Sequence, residues 1–208
     1  KYFDKKLAER DILHVNVLDP MLKTMRKFLG VHPDYRPGQL YRTDDRYYRK
    51  IDAIGLTVEH DDGRGAMIAA ADVVLLGLSR TCKTPISMYL ACNFGLKAAN
   101  IPIVPGITTE LGLKHQVGKV PRERIFGLLM EPEVLTHVRE ERLQFLAKPE
   151  DGAVELNDYV DLRVIRKDYR FAKDLFERNG WRTVEVTKRA IEEVSMEILD
   201  ELGIREEE

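Results

Sequence analysis

The chain has 208 residues, with 33 Lys and Arg against 35 Asp and Glu and a formal net charge of -2, a balance that excludes recognition driven by bulk charge; neither nucleic acid nor a membrane surface is an expected partner. No apolar run approaches the roughly 20 residues of a membrane span, while 44% hydrophobic and 33% charged residues fall in the range of a globular chain with a real core. Two cysteines, Cys82 and Cys92, cannot staple a secreted scaffold, and the composition suits the cytoplasm.

Residues 1–10 alternate charged and apolar positions like the interior of an amphipathic helix, which predicts further sequence upstream. Residues 12–18 read as a strand, and a helix is expected after Asp19-Pro20 as far as Leu29, with Gly30 as its stop. Residues 30–39 carry loop chemistry. Between 43 and 58 the apolar positions Tyr47, Ile51, Ile54 and Val58 fall at helical spacing, with Thr43 or Asp44 available to cap the first turn. This helix runs into His60-Asp61-Asp62-Gly63.

The run DVVLL at 72–76 has no solvent-facing polar position inside it, which predicts a central parallel strand covered on both faces. A helix is expected to follow, with Thr84 at its cap, Pro85 in its first turn and apolar residues nearly all round. Residues 101–104 supply the next strand and complete a βαβ unit. A third strand is predicted at 125–130. Helices are predicted at 132–146, 159–178 and 188–202, the last stopped by Gly203, with a late strand at 181–186 and a second loop stretch at 148–158. The fold class is α/β: a P-loop-type nucleotide-binding domain whose parallel-rich sheet is flanked by helices, with a helical C-terminal extension. The expected organisation is a remnant of an upstream α/β portion at 1–41, a core at 42–147 and the extension at 148–208.

Strand, then Gly77-Leu78-Ser79-Arg80-Thr81-Cys82-Lys83-Thr84, then helix, is the context a phosphate-binding loop requires. Such a loop aims backbone N–H groups and a helix N-terminus at phosphates, with a lysine reaching the terminal oxygens and a hydroxyl binding Mg²⁺. Lys83 and Thr84 are the candidates for those two roles, and Ser79 and Arg80 add donors suited to an anion. The departure from the usual pattern is Cys82, which stands where a second glycine is expected. Cys82 is also flanked by Lys83 and a helix N-terminus, which predicts a lowered thiol pKa. An ordinary βα turn with a polar tip is the bland alternative.

A metal carboxylate is sought at the end of a neighbouring strand. The strand at 101–104 offers none, and Glu131 is the candidate, with a helix N-terminal carboxylate as its other reading. The pair Asp61 and Asp62 beside His60 is costly to assemble without a cation or donors to neutralise it. One aspartate can accept the proton of an attacking hydroxyl, the other can organise Mg²⁺ water, and His60 can steer a carboxylate or a phosphate. The alternative is a solvated turn with Gly63 in the left-handed position. His14, His32, His115 and His137 are scattered without ligand spacing and give no basis for a structural zinc site.

The stretches RTDDRYYRKIDAIGLTVEHDDG (42–63), VVLLGLSRTCKTPISMYLACNFGLKAANIPIVPGI (73–107), IFGLLMEPEVL (125–135), the segment from Arg139 to Leu143 and WRTVEVTKRAIEEVSMEIL (181–199) together resemble the bifunctional regulatory proteins of pyruvate, phosphate dikinase and of phosphoenolpyruvate synthase. The resemblance implies an ADP-dependent Ser/Thr kinase. It would phosphorylate a threonine beside the dikinase's catalytic phosphohistidine and release AMP, and a phosphate-dependent phosphorylase reaction releasing pyrophosphate would reverse the step. It implies that Gly77 to Thr84 hold the nucleotide and that His60, Asp61 and Asp62 form the family's HDD motif. Glu131 stands where relatives usually carry Asp. IPIVPGI resembles the dikinase branch more than the synthase branch, so the dikinase is the expected partner. The expected cofactors are ADP as donor, Mg²⁺, and inorganic phosphate for the reverse reaction; self-association is compatible with the sequence. Relatives carry a Ser-Asp-Gly-type motif near their start that this chain lacks.

The segment 148–164 departs from the family text. Arg163, Arg166, Lys167, Arg170 and Lys173 make a basic face there, either solvated or facing a phosphorylated partner. Two rival readings keep the same loop: a small-molecule kinase or ATPase, distinguished by use of ATP, and a nucleotide-sensing module that transfers nothing.

Overall fold

A computed structural model of the chain describes residues 6–15, 17–32, 45–61, 68–146 and 155–204. Its contacts divide the chain into two units, Lys1–Arg42 and Thr43–Glu208. In the first, helix α1 (Leu18–Leu29) ends where Gly30 takes the left-handed conformation, φ 70°, and donates its N–H to Arg26 O. Glycine enters that conformation without steric cost, which is why the stop predicted there holds. The strand expected at 12–18 does not form among its described residues: nothing pairs with it, and Leu13 is 98% exposed. An apolar run becomes a strand only where another strand accepts its N–H and C=O groups.

The second unit is α/β. Helix α2 (Asp45–Glu59) precedes strand β1 (Val73–Gly77), and helix α3 (Lys83–Phe94) leads from it to β2 (Ala98–Pro102). Helix α4 (Glu110–Val117) is followed by β3 (Ile125–Leu129), α5 (Pro132–Leu146), α6 (Glu155–Val160), α7 (Leu162–Asn179), β4 (Arg182–Glu185) and α8 (Ile191–Leu202). The four strands form one parallel sheet in the order β2-β1-β3-β4. Every residue of β1 and of β3 is buried, as the unbroken DVVLL pattern predicts for a strand covered on both faces. Helix α3 packs with α8, and α7 packs with α5 and along β3.

Several boundaries move for identifiable reasons. Strand β2 starts three residues before the predicted 101, because Ala98 and Ala99 pair with Val73 and Val74. The single helix expected at 159–178 is broken at Asp161, whose carboxylate accepts the N–H of Arg163 and caps α7. Residues 155–158 are helical instead of loop. Helix α8 begins at Ile191 and not at 188; Lys188 is left-handed, φ 53°, and Glu193 accepts the N–H of Ala190 at the start. Helix α4 is unpredicted. It is short, and its main signal is Thr109, whose hydroxyl accepts the N–H of Gly112.

Helix α2 is present where its periodicity places it, yet its buried face is Ala53 and Thr57, while Tyr47, Ile51 and Val58 are exposed. The candidate caps Thr43 and Asp44 lie outside the described residues. The C-terminal end of α2 covers the outer edge of the sheet. Thr57 Oγ1 accepts the N–H of Ala98 at 3.1 Å and His60 O accepts that of Asn100 at 3.0 Å. An exposed strand edge is a liability unless something pairs with it, and this pairing delivers residues 60 and 61 to the sheet.

Candidate active site at the end of the first strand

Strand β1 ends at Gly77, and the chain turns through residues 78–82 before α3 opens at Lys83. Two residues of the turn are left-handed, Arg80 at φ 74° and Cys82 at φ 58°. The loop therefore does use positive φ at the position where glycine is usual, and a non-glycine residue bears the steric cost of about 1–2 kcal/mol. Gly77 is required for a different reason. A Cβ there would sit 2.5 Å from Thr81 Oγ1 and 3.1 Å from Leu128 O, so a side chain would push the folded-back loop off the strand. Thr81 is buried and closes the turn by donating to Leu78 O at 2.9 Å.

Lys83 points back along the strand end. Its Nζ donates to Gly77 O at 3.0 Å and to Leu78 O at 2.7 Å. Burial pushes this ammonium down from 10.5 to about 8; Asp61 partly offsets the burial, whereas Arg139 and Arg80 repel it. A cation held this way has only carbonyl dipoles as direct partners and gains most from an anion brought to the loop.

Thr84 is not the helix cap. It lies one residue inside α3, and its hydroxyl donates to Asp61 Oδ1 at 2.8 Å. The same carboxylate oxygen accepts from Asn100 Nδ2, a buried amide on β2. Asn100 donates also to Ser87 Oγ at 3.0 Å, and Ser87 in turn donates to Thr84 O at 2.9 Å. Asp61 is thus held by a donor from the loop helix and a donor from the adjacent strand. Oδ1 of Asn100 is buried and has no hydrogen-bond partner among the described residues.

His60 is fully buried behind this carboxylate, its Nδ1 donating to Leu56 O at 2.8 Å. Asp62, the other candidate base, lies outside the described residues. Glu131 follows β3, its N–H donating to Thr187 Oγ1 and its carbonyl accepting from Leu135 as α5 begins. Among the described residues no hydrogen bond or ion pair joins its side chain to Lys83 or Thr84. Burial, the larger influence, raises the Cys82 thiol above its ordinary value, and the neighbouring Lys83 lowers it by less. The expectation of a lowered thiol pKa is corrected: flanking charge cannot offset desolvation here.

Arg139 on α5 and Tyr159 on α6 also reach the loop. Arg139 donates through one terminal nitrogen to Tyr159 O at 3.1 Å and through the other to Ser79 O at 3.4 Å, and its guanidinium lies 4.6 Å above the Tyr159 ring. Ser79 Oγ is 3.3 Å from the Tyr159 hydroxyl. Neither residue, nor Asn100, stands out by spacing in the sequence. Arg139 sits in an Arg-Glu-Glu-Arg run that reads as a solvated helix face, and Asn100 is a lone polar residue in a strand.

The site thus combines a helix N-terminus, a lysine, and a hydroxyl–carboxylate pair at the C-terminal end of a parallel strand, an arrangement suited to binding a phosphate group. The family model described as kinase/pyrophosphorylase matches residues 1–199. The chain belongs to the kinase/pyrophosphorylase family. Similar proteins from Clostridium perfringens (strain SM101) and Desulfitobacterium hafniense (strain Y51) are each 37% identical to it, over 99% and 96% of this chain and 74% and 70% of their own. One from Paramagnetospirillum magneticum is 38% identical over 94% of this chain and 60% of its own length. All three bear the provisional name pyruvate, phosphate dikinase regulatory protein. Every residue of the candidate site named above falls within the matched span.

Proposed function

We propose that this chain is a bifunctional regulator of pyruvate, phosphate dikinase. As a kinase it transfers the β-phosphoryl group of ADP to an active-site threonine of the dikinase: the threonine oxygen bonds to the β-phosphorus, the bond to the bridging oxygen breaks, and AMP leaves. As a phosphorylase it lets an oxygen of inorganic phosphate attack the phosphothreonine phosphorus, releasing threonine and pyrophosphate. The observation that carries this reading is the meeting of Lys83, Thr84 and Asp61 at the end of β1, in a chain whose family is described as kinase/pyrophosphorylase and whose relatives are named for the dikinase.

In this reading Lys83 leaves the Gly77 and Leu78 carbonyls for the phosphate of ADP, and the first N–H groups of α3 take its other oxygens. The hydroxyl of Thr84 and the carboxylate of Asp61 are hard oxygen donors 2.8 Å apart, a set that fits Mg²⁺, which takes few protein ligands and otherwise phosphate oxygens and water. Among the described residues no group of three or more His, Cys, Asp or Glu could hold a metal, in keeping with a cation shared with the nucleotide. When bound, Mg²⁺ supplies charge neutralisation at the phosphoryl oxygens. Asp61, with Oδ1 occupied by Thr84 and Asn100, orients the hydroxyl of Thr84. The threonine proton passes to the other oxygen of Asp61 or to Asp62. Glu131 remains a candidate carboxylate for the metal, and His60 supports the Asp61 backbone from the edge of β2.

The test uses ADP labelled on its β-phosphate and a dikinase already phosphorylated on its catalytic histidine. Label is expected on a dikinase threonine, none is expected from γ-labelled ATP, and Lys83→Ala should abolish transfer. Consumption of ATP in place of ADP with no label on the dikinase would favour a small-molecule kinase or ATPase. Binding of ADP with no transfer to the dikinase would favour a sensing module.

A further inference from the structure

Arg139 is the least exposed Arg, Lys, Asp or Glu among the described residues, at 5% exposure. Its partners do not account for a buried positive charge. Two carbonyl oxygens, of Tyr159 and Ser79, accept from its terminal nitrogens, and the ring of Tyr159 lies beneath it. Its Nε has no hydrogen-bond partner among the described residues. Among the described residues no carboxylate comes within ion-pair distance; Asp168 acts on it only at longer range, its carboxyl raised by burial and lowered, by less, by Arg139 and Lys167. A buried cation left without a counter-charge is strongly destabilising unless an anion arrives to complete it.

The position of Arg139 indicates where that anion belongs. One of its two carbonyl partners is Ser79, inside the loop and next to the left-handed Arg80, and its charge is felt as repulsion at Lys83. An anion seated in the loop would therefore relieve two cations at once, and the guanidinium that bonds the loop at Ser79 has donors to spare.

We propose that Arg139 is a positioning residue for the phosphate site: it clamps the Ser79 end of the loop to α6 through Tyr159, and its charge is completed by the diphosphate group bound in the loop. The clamp and the anion then strengthen each other, because a ligand that stabilises one arrangement of the loop is itself bound more tightly by whatever holds that arrangement. This inference rests on reading the loop as a phosphate site.

The experiment is calorimetric titration of the full chain with MgADP and, separately, with inorganic pyrophosphate, accompanied by thermal unfolding with and without each ligand. Arg139→Met keeps the apolar stem and removes the charge. It is expected to weaken binding of both ligands about tenfold and to shrink the ligand-induced rise in Tm, with the Tm of the free chain at or above that of wild type, because the uncompensated charge is gone. Arg139→Lys should recover part of the affinity. A purely structural arginine would do the opposite, lowering the Tm of the free chain while leaving the affinity for both ligands unchanged, and that result overturns the proposal. Should Arg139→Met not fold, Arg139→Lys carries the comparison: weakening of about threefold is expected, from loss of the forked contact, and wild-type affinity overturns the proposal. Binding that depends on Lys83 but is indifferent to Arg139 sinks this inference alone. A wild-type chain that binds neither ligand sinks the phosphate-site reading with it.

Discussion

Lys83 titrates near 8 in place of 10.5 because it is buried, with Asp61 and Cys82 raising and Arg139 and Arg80 lowering the value. A lysine whose folded pKa lies below its unfolded one leaves the unfolded chain with more protons between about pH 8 and 10.5. On its own account it therefore adds stability as pH rises through that window. Binding runs the other way. A phosphate anion favours the ammonium form, so ADP should bind with uptake of a proton near pH 8, and its affinity should fall as pH rises above about 8. Calorimetry of ADP binding from pH 6.5 to 9.5 in buffers of differing ionisation heat measures both quantities, and Lys83→Met should remove the dependence.

Cys82 poses a second question at this scale. It occupies a left-handed position that a β-branched residue does not tolerate. Cys82→Val should lower stability below that of the cysteine chain, whereas Cys82→Gly, relieved of the steric cost the cysteine bears, should keep or raise stability and leave ADP binding intact, as read by chemical denaturation and titration. The pair separates the backbone demand, legible as a missing glycine, from any role of the thiol.

Among the elements, β3 and α7 pack closely at Gly127. A Cβ on Gly127 would lie 2.3 Å from Phe176 Cδ2, and Phe176 is fully buried with Trp181 packed at its edge, ring centroids 6.5 Å apart. The ring cannot retreat, so Gly127→Ala should destabilise the chain by about 1–3 kcal/mol, measured as a lower denaturation midpoint at unchanged slope. The elements that periodicity predicts best are those whose pattern is dictated by burial on their own account. DVVLL is a central strand because both faces are covered, and residues 132–146 form a helix that starts at a proline and runs its predicted length. The elements that differ from their local pattern depend on neighbours. Residues 12–18 have no strand to pair with among the described residues, Asp161 divides a helix by capping, and Thr84 bonds Asp61 in place of capping.

Over the whole molecule, the C-terminal segment completes the sheet. Strand β4 pairs with β3 along its outer edge, and α8 lays Val194, Ile198 and Leu199 into the core beside α3. Removing residues 181–208 should therefore expose the edge of β3 and one side of α3, the helix that begins at Lys83. Such a chain is expected to lose cooperative unfolding and ADP binding together, as followed by circular dichroism and calorimetry. No helix among the described residues is long and apolar enough to cross a membrane.

The sequence by itself determined the α/β class, the strand–loop–helix at 73–94, the pairing of Lys83 with Thr84 in one loop and the interest of His60 and Asp61, because strand burial, loop spacing and charge crowding are all local properties. Only the tertiary structure decided that Asp61 bonds to Thr84, that Asn100 ties Asp61 to the sheet, and that Arg139 and Tyr159 reach the loop from 60 to 80 residues away. Those contacts depend on how α2 caps the edge of β2 and how α5 and α6 pack against the loop. No periodicity records them, since an arginine on a charged helix looks the same in sequence whether it faces water or a phosphate site.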